Sequence, residues 1–263
     1  METLTMSEPV ILDIQHLQKK FGDQMILKDI SLQIRKGEVT VIVGPSGCGK
    51  STFLRCINGL EPVTGGQILF NGTCISDGTV SRAGICQNIG MVFQSYDLFS
   101  HMTVMDNLLL APVQVQKRNR KEAEEEARKM LKRIGLEEKE QAWPRELSGG
   151  QQQRIAMIRA LILHPQIMLF DEVTASLDPE MVREVLEVIM DLAGEGMTLI
   201  IVTHEMTFAR AVADRVLFFD QGVIAEEGTA EQFFTAPSTE RAQRFLHSLT
   251  FDRVKEKRKK EIV

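Results

Sequence analysis

The chain has 263 residues, 43% of them hydrophobic and 25% charged, with a formal net charge of −5. That length suits one large α/β domain, or a core with a smaller lobe, around a sizeable buried core, and the composition is ordinary for a globular protein. No apolar run reaches the length of a membrane span, and the acidic balance argues against nucleic acid as a partner.

The segment from Met1 to Glu8 has two acidic residues and no apolar stretch. It does not read as a signal peptide, so the cytoplasm is the expected compartment. Short apolar stretches at Val10–Leu12 and Ile30–Ile34, with turn signals at Gly22-Asp23 and Lys36-Gly37, predict β-strands. Gly65–Gly72 extends the theme, and an antiparallel sheet is expected from these strands.

Val39–Val43 is a β-branched run that leads into Gly44-Pro45-Ser46-Gly47-Cys48-Gly49-Lys50-Ser51, and a helix-compatible stretch from Ser51 to about Leu60 follows. This is the strand, loop and helix context of the phosphate-cradling pattern G-x-x-x-x-G-K-[ST]. Backbone amides of such a turn, joined by those of a helix N-terminus, form a concave cluster of positive partial charge. Lys50 adds a mobile charge for the β- and γ-phosphates. The Ser51 hydroxyl suits Mg²⁺, an ion that prefers hard oxygen ligands.

Cys48, Cys56, Cys74 and Cys86 lie apart without C-x-x-C spacing and read as reduced thiols or core fillers, not as a zinc site. For Cys48 a thiol activated by Lys50 is one reading, and a small residue that fits the turn is the favoured one.

From about Ser95 to Ala160 the pattern turns helical. Asn119 and Glu122 form a variant capping box, and Ala123, Ala127, Met130, Leu131 and Ile134 make one apolar stripe. Glu124–Arg128 and Glu125–Lys129 are expected to pair on the exposed face, and Gly135 to stop the helix. Ile167–Phe170 then reads as a buried parallel strand. It ends in Asp171 and Glu172, at the carboxyl edge where open α/β sheets bind ligands. Asp171 suits the metal's shell, and Glu172 suits the general base for an attacking water.

Asp178-Pro179 predicts a helix start, with Val182, Val185, Leu186 and Ile189 on one face. The strand at Thr198–Thr203 delivers His204 to the same edge, to contact the γ-phosphate or fix Glu172. Arg215–Ala225 predicts a hairpin turning near Gly222. Lys255–Lys260 is a basic tail, read as a solvated end in preference to a membrane-surface contact. His16, His101, His164 and His247 are assigned no chemistry.

Leu147-Ser148-Gly149-Gly150-Gln151-Gln152-Gln153-Arg154 resembles the signature of the ATP-binding cassette (ABC) ATPases. Gln94, the Ser176-Leu177-Asp178 loop and His204 follow the family's order. Stretches such as Leu98–Val104 and Leu110–Val115 look most like the ATP-binding subunits of bacterial polar amino-acid importers.

The resemblance implies an α/β fold: a P-loop NTPase (RecA-like) core, an antiparallel β subdomain and an inserted α-helical subdomain. The division it implies is a single domain over 10–250, with 10–95 and 160–235 as core and β subdomain, 96–159 as helical subdomain and 251–263 as tail. ATP and Mg²⁺ are the implied cofactors. Phe21 stacks on adenine, with a buried core phenylalanine as the competing reading. Gly44 to Thr52 hold the phosphates. Ser51, Gln94 and Asp171 serve the metal, and Lys50, Glu172 and His204 serve catalysis. Ser148, Gly149, Gly150 and Gln151 complete the site of a second copy in a head-to-tail homodimer, and Asp178 is a further nucleotide-binding residue.

The implied partners are integral membrane permease subunits and, indirectly, an extracytoplasmic substrate-binding protein, which puts the chain on the cytoplasmic face of the membrane. A soluble ABC-superfamily ATPase with a non-transport partner is the alternative. A P-loop kinase or GTPase is disfavoured by the signature, and a non-hydrolysing ATP-binding protein by Glu172 and His204. Three departures are expected to touch packing and loop stiffness but not phosphate contacts: Val173 for proline, Thr174-Ala175-Ser176 for Thr-Ser-Ala, and Ile158 for alanine.

Overall fold

The structure is a computed structural model, described here for residues 8–249; the basic tail at 255–260 lies outside the described residues. In chain order the first half holds β1 (Val10–Phe21), β2 (Gln24–Arg35), β3 (Val39–Val43), α1 (Lys50–Ile57), β4 (Gly65–Phe70), β5 (Thr73–Cys74), α2 (Arg82–Asn88) and β6 (Ile89–Val92). Then come α3 (Val104–Gln114), α4 (Arg120–Arg133) and α5 (Gly149–Leu161), with short 3₁₀ turns at 137–139 and 144–146. The second half of the core adds β7 (Ile167–Asp171), α6 (Pro179–Gly194), β8 (Thr198–Val202), α7 (Met206–Val212), β9 (Arg215–Asp220), β10 (Val223–Thr229), α8 (Ala230–Thr235) and α9 (Glu240–Leu249).

Two sheets result. One is antiparallel in the order β2-β1-β4-β5, and the other runs β10-β9-β3-β8-β7-β6. In the second, β9, β3, β8, β7 and β6 are parallel and β10 is an antiparallel edge. Helices and the other sheet cover both faces, so β3, β7 and β8 are apolar along nearly their whole length and fully buried. The antiparallel sheet has a single dry face, and β2 accordingly alternates, with Leu27, Ile30, Leu32 and Ile34 buried between exposed residues.

Helix α1 lies between the two sheets. Phe53, Leu54 and Ile57 pack with Leu12, Ile14 and Leu17 from one side and Ile42, Leu169 and Leu217 from the other. A second core under the opposite face joins Val41, Phe170 and Phe218 to α6, α8 and α9 through Val185, Phe233 and Phe245. The helical lobe has its own core, in which Val104 and Leu108 meet Ala127, Leu131 and Ile155. Helix α5 belongs to both: Ala156 and Met157 face the sheet, and Ile155, Ile158 and Ile162 face the lobe.

Local details differ from expectation in three places. Asn119 caps α4 by accepting from the Lys121 amide at 2.9 Å, and no reciprocal bond from Glu122 forms. Glu124 pairs more closely with Arg120 (2.9 Å) than with Arg128 (3.9 Å), and no Glu125–Lys129 pair forms. Asp178 occupies the N-cap of α6 without a side-chain cap bond, so Pro179 at the first turn carries the start. Helix α2 and the two-residue β5 gave no periodic signal in the sequence. Val173 and Ile158, the departures from the family pattern, are both buried packing residues at 4% and 2% exposure.

Candidate nucleotide site

The strand register assembles the site. Ile42 and Asp171 are both partners of Val202, so the residues that follow each strand leave the sheet side by side. These are the Gly44 loop, Glu172 and, one turn beyond Val202, His204. The Thr203 hydroxyl accepts from the Glu205 amide at 3.0 Å and fixes that turn.

The Gly44–Gly49 loop takes a shape that only glycine allows. A Cβ on Gly44 would lie 2.1 Å from the Phe219 carbonyl oxygen, and Gly47 and Gly49 have φ of 77° and 108°. Gly49 is the N-cap of α1, with no side-chain cap and no acidic residue in the first turn. The first-turn amides therefore remain available to an anion. Pro45 and Ser46 shape the loop's outer side, and Thr52 is half-buried behind Ser51. Cys48 is buried, and burial pushes its thiol up against the opposing pull of Lys50, so it is a neutral filler of the turn.

Lys50 is buried, and its ammonium donates to the Gly44 and Pro45 carbonyl oxygens at 3.1 Å each. It also stands 3.6 Å from the Glu172 carboxylate. Glu172 has the left-handed φ of +48°, sparsely populated for a glutamate, and such strain concentrates at functional sites. Its Oε1 lies 3.0 Å from Nε2 of His204. Lys50, Glu172 and His204 thus form one connected chain of side chains at the sheet edge.

Beside it, the Ser51 hydroxyl donates to Asp171 Oδ1 at 2.7 Å. Asp171 is 5% exposed, and burial raises its pKa, with the Ser51 bond opposing and Glu172 adding to the rise. Ser51, Asp171 and Gln94 line one 820 Å³ cavity between the sheet edge and the helical lobe. A hydroxyl and a carboxylate in contact are the hard oxygen donors that Mg²⁺ takes. Among the described residues no cluster of three His, Cys, Asp or Glu forms a metal cage. The donor set therefore fits an ion whose other ligands are phosphate and water.

Phe21 ends β1 and is 47% exposed, so it is a surface residue and not a core one. Ser148 caps α5 by accepting from the Gln151 amide at 3.3 Å, while Gln151 Oε1 accepts from the Ser148 amide at 3.0 Å. Gly149 and Gly150 form the first turn of α5. Among the described residues, no hydrogen bond or ion pair joins Ser148–Gln151 or Asp178 to Lys50, Ser51, Asp171, Glu172 or His204.

Arg55 and Tyr96 also line the cavity, and the Tyr96 hydroxyl lies 3.2 Å from that of Ser176. Sequence reasoning missed both. Arg55 had one available signal, its place one helical turn after Ser51; Tyr96 meets Ser176 across 80 residues and had none.

Residues 27–175 match the family model described as ABC transporter. The chain is 51% identical over 239 residues to the arginine transport ATP-binding protein ArtM of Bacillus subtilis (strain 168), covering 91% of this chain and 100% of that protein. It is 51% identical over 236 residues to the glutamine transport ATP-binding protein GlnQ of the same organism, covering 90% and 98%. Its fold matches the ATP-binding cassette MJ0796, solved as a dimer in a post-hydrolysis state bound to ADP and Pi, with a TM-score of 0.74. Identity there is 30%, over 83% of this chain and 98% of that one. A model match over more than half of the chain, together with half identity across nearly the full length of transport ATP-binding proteins, places this chain in the ABC transporter family of ATPases.

Proposed function

We propose that this chain is the ATP-hydrolysing subunit of an importer for a polar amino acid. It sits on the cytoplasmic face of the membrane against separate permease subunits, which receive solute from an extracytoplasmic binding protein. The transport assignment rests on its relatives, whose names specify arginine and glutamine. The observation that carries the hydrolytic reading is the convergence of Lys50, Glu172 and His204 at one sheet edge, 3.6 and 3.0 Å apart.

Each residue's part follows from its chemistry. The loop from Gly44 to Thr52 binds the phosphates through its amides. Lys50 exchanges its two carbonyl acceptors for β- and γ-phosphate oxygens. Glu172 takes the proton from the attacking water, and His204 holds that carboxylate in place. Ser51 and Asp171, with Gln94 beside them, would hold Mg²⁺, which when bound would supply charge neutralisation at the phosphates. Phe21 receives the adenine.

The second half-site, Ser148 to Gln151 with Asp178, serves a partner copy. Two chains related head to tail then enclose two ATP molecules. Loss of the γ-phosphate opens the pair, and the movement passes through Gln94 and the helical lobe to the permease. The domain division that goes with this reading keeps 10–250 as one unit, with 96–159 as the moving lobe.

Cross-linking from cysteines introduced at Gln94 and Phe99, followed by purification from native membranes, tests the membrane assignment. Capture of an integral membrane protein is the expected result. Capture of ribosomal or DNA-associated partners alone overturns it.

A further inference from the structure

Lys19 is 4% exposed, a burial that lysine tolerates only when its charge is matched. The ammonium has three donors to place. One goes to the Pro62 carbonyl oxygen at 2.8 Å, and a second faces Glu61 Oε2 at 2.9 Å. The charge also stands over the Phe21 ring, 4.5 Å from its centroid. Glu61 and Pro62 belong to the loop that leaves α1, so the contact ties the end of β1 to the helix whose first turn carries Lys50 and Ser51. None of these groups has a part in the hydrolytic chemistry.

We propose that Lys19 is a positioning residue for the nucleotide base: moored by Glu61 and Pro62, its ammonium holds the Phe21 ring from behind and presents the open face to adenine. The proposal rests on the reading of Phe21 as the adenine platform. Two physical effects support it. A cation over one face is attracted by the ring quadrupole and fixes a side chain that is otherwise half in solvent, which lowers the ordering cost of base binding. The same cation draws π density toward itself and reduces repulsion between the far face and a stacked base. Cys56, beside the pair, does not disturb it. Burial pushes its thiol up to about 12, with Lys19 opposing and Glu61 reinforcing, so it carries no competing charge.

The test compares two ligands on the full chain: ATP, and inorganic tripolyphosphate, which has phosphates but no base. Equilibrium binding is measured for wild type, Lys19→Met, Phe21→Ala and the double variant. Phe21→Ala is expected to weaken ATP at least about fivefold and leave tripolyphosphate unchanged; if ATP binding survives intact, the platform reading itself fails. Lys19→Met is expected to weaken ATP about three- to tenfold, spare tripolyphosphate, and have no further effect in the Phe21→Ala background. Equal weakening of both ligands, or an undiminished effect in the double variant, overturns the role of Lys19 while leaving Phe21 untouched. Should Lys19→Met fail to fold, Glu61→Gln keeps the cation and loosens its mooring. ATP-selective weakening of about twofold or more then supports the proposal, and an equal effect on both ligands, or none, overturns it.

Discussion

At the level of single residues, the two carboxylates Glu172 and Asp171 each carry a prediction. If Glu172 is the general base, Glu172→Gln slows phosphate release roughly 10²- to 10⁴-fold and leaves ATP binding near wild type. Unchanged turnover removes that role. Asp171 makes a prediction of a different sign. Its folded pKa lies above the ordinary 3.8, chiefly through burial, so the folded chain holds the proton more tightly than the unfolded one. That contribution to stability is fully present below 3.8 and is lost as pH rises through the folded value. Above the folded value the ionised carboxylate is therefore a cost to the chain. Asp171→Asn, which still accepts from Ser51, is expected to raise the urea midpoint at pH 7 and to lose that advantage near pH 4, while abolishing Mg²⁺-dependent hydrolysis. An Asp171→Asn chain less stable than wild type at pH 7 contradicts the burial argument.

Helix ends separate folding from function at the scale of elements. Asn119 and Ser148 are both N-caps with a side-chain bond, to Lys121 and Gln151 respectively. Removing either cap costs about 1 kcal/mol. Asn119→Ala is expected to show that loss in chemical denaturation with ATPase activity unchanged, because α4 caps only the lobe. Ser148→Ala is expected to show a similar loss and a drop in hydrolysis besides, since the proposed function gives its helix end to a partner's nucleotide. Equal activity in the two variants removes the functional role of the Ser148 end. The turn between β9 and β10 is the seam of the two sheets: Gly222 has φ +82°, accepts from the Lys28 amide at 3.0 Å, and would place a Cβ 2.2 Å from the Ile26 carbonyl. Gly222→Ala is expected to destabilise the chain by about 1–3 kcal/mol, read as a lower urea midpoint.

At the scale of the whole molecule the proposed head-to-tail pairing makes the prediction. A hydrolysis-deficient Glu172→Gln chain with ATP and Mg²⁺ is expected to run as a dimer in light scattering and to return to monomer in ADP. A chain that stays monomeric with bound ATP contradicts the head-to-tail arrangement.

How much of this the linear order of residues contains differs from place to place. The phosphate loop was legible because its chemistry is local: glycine spacing, one lysine and one hydroxyl lie within eight positions, and the flanking strand and helix announce themselves by β-branched run and periodicity. Asp171 and Glu172 were legible because a buried parallel strand is uniformly apolar and ends abruptly in charge. Sequence alone therefore determined the fold class and the signature segment, and it named the side chains from which the candidate site is argued. Only the tertiary structure decided the Ile42–Val202–Asp171 register that sets Lys50, Glu172 and His204 within reach of one another, the left-handed turn at Glu172, the burial that lifts Asp171, and the Lys19–Phe21 contact. The reason is one of range: hydrogen-bonding pattern and hydrophobic period are written in neighbouring residues, whereas desolvation and cross-strand register depend on groups far apart in the chain that meet only when the core closes.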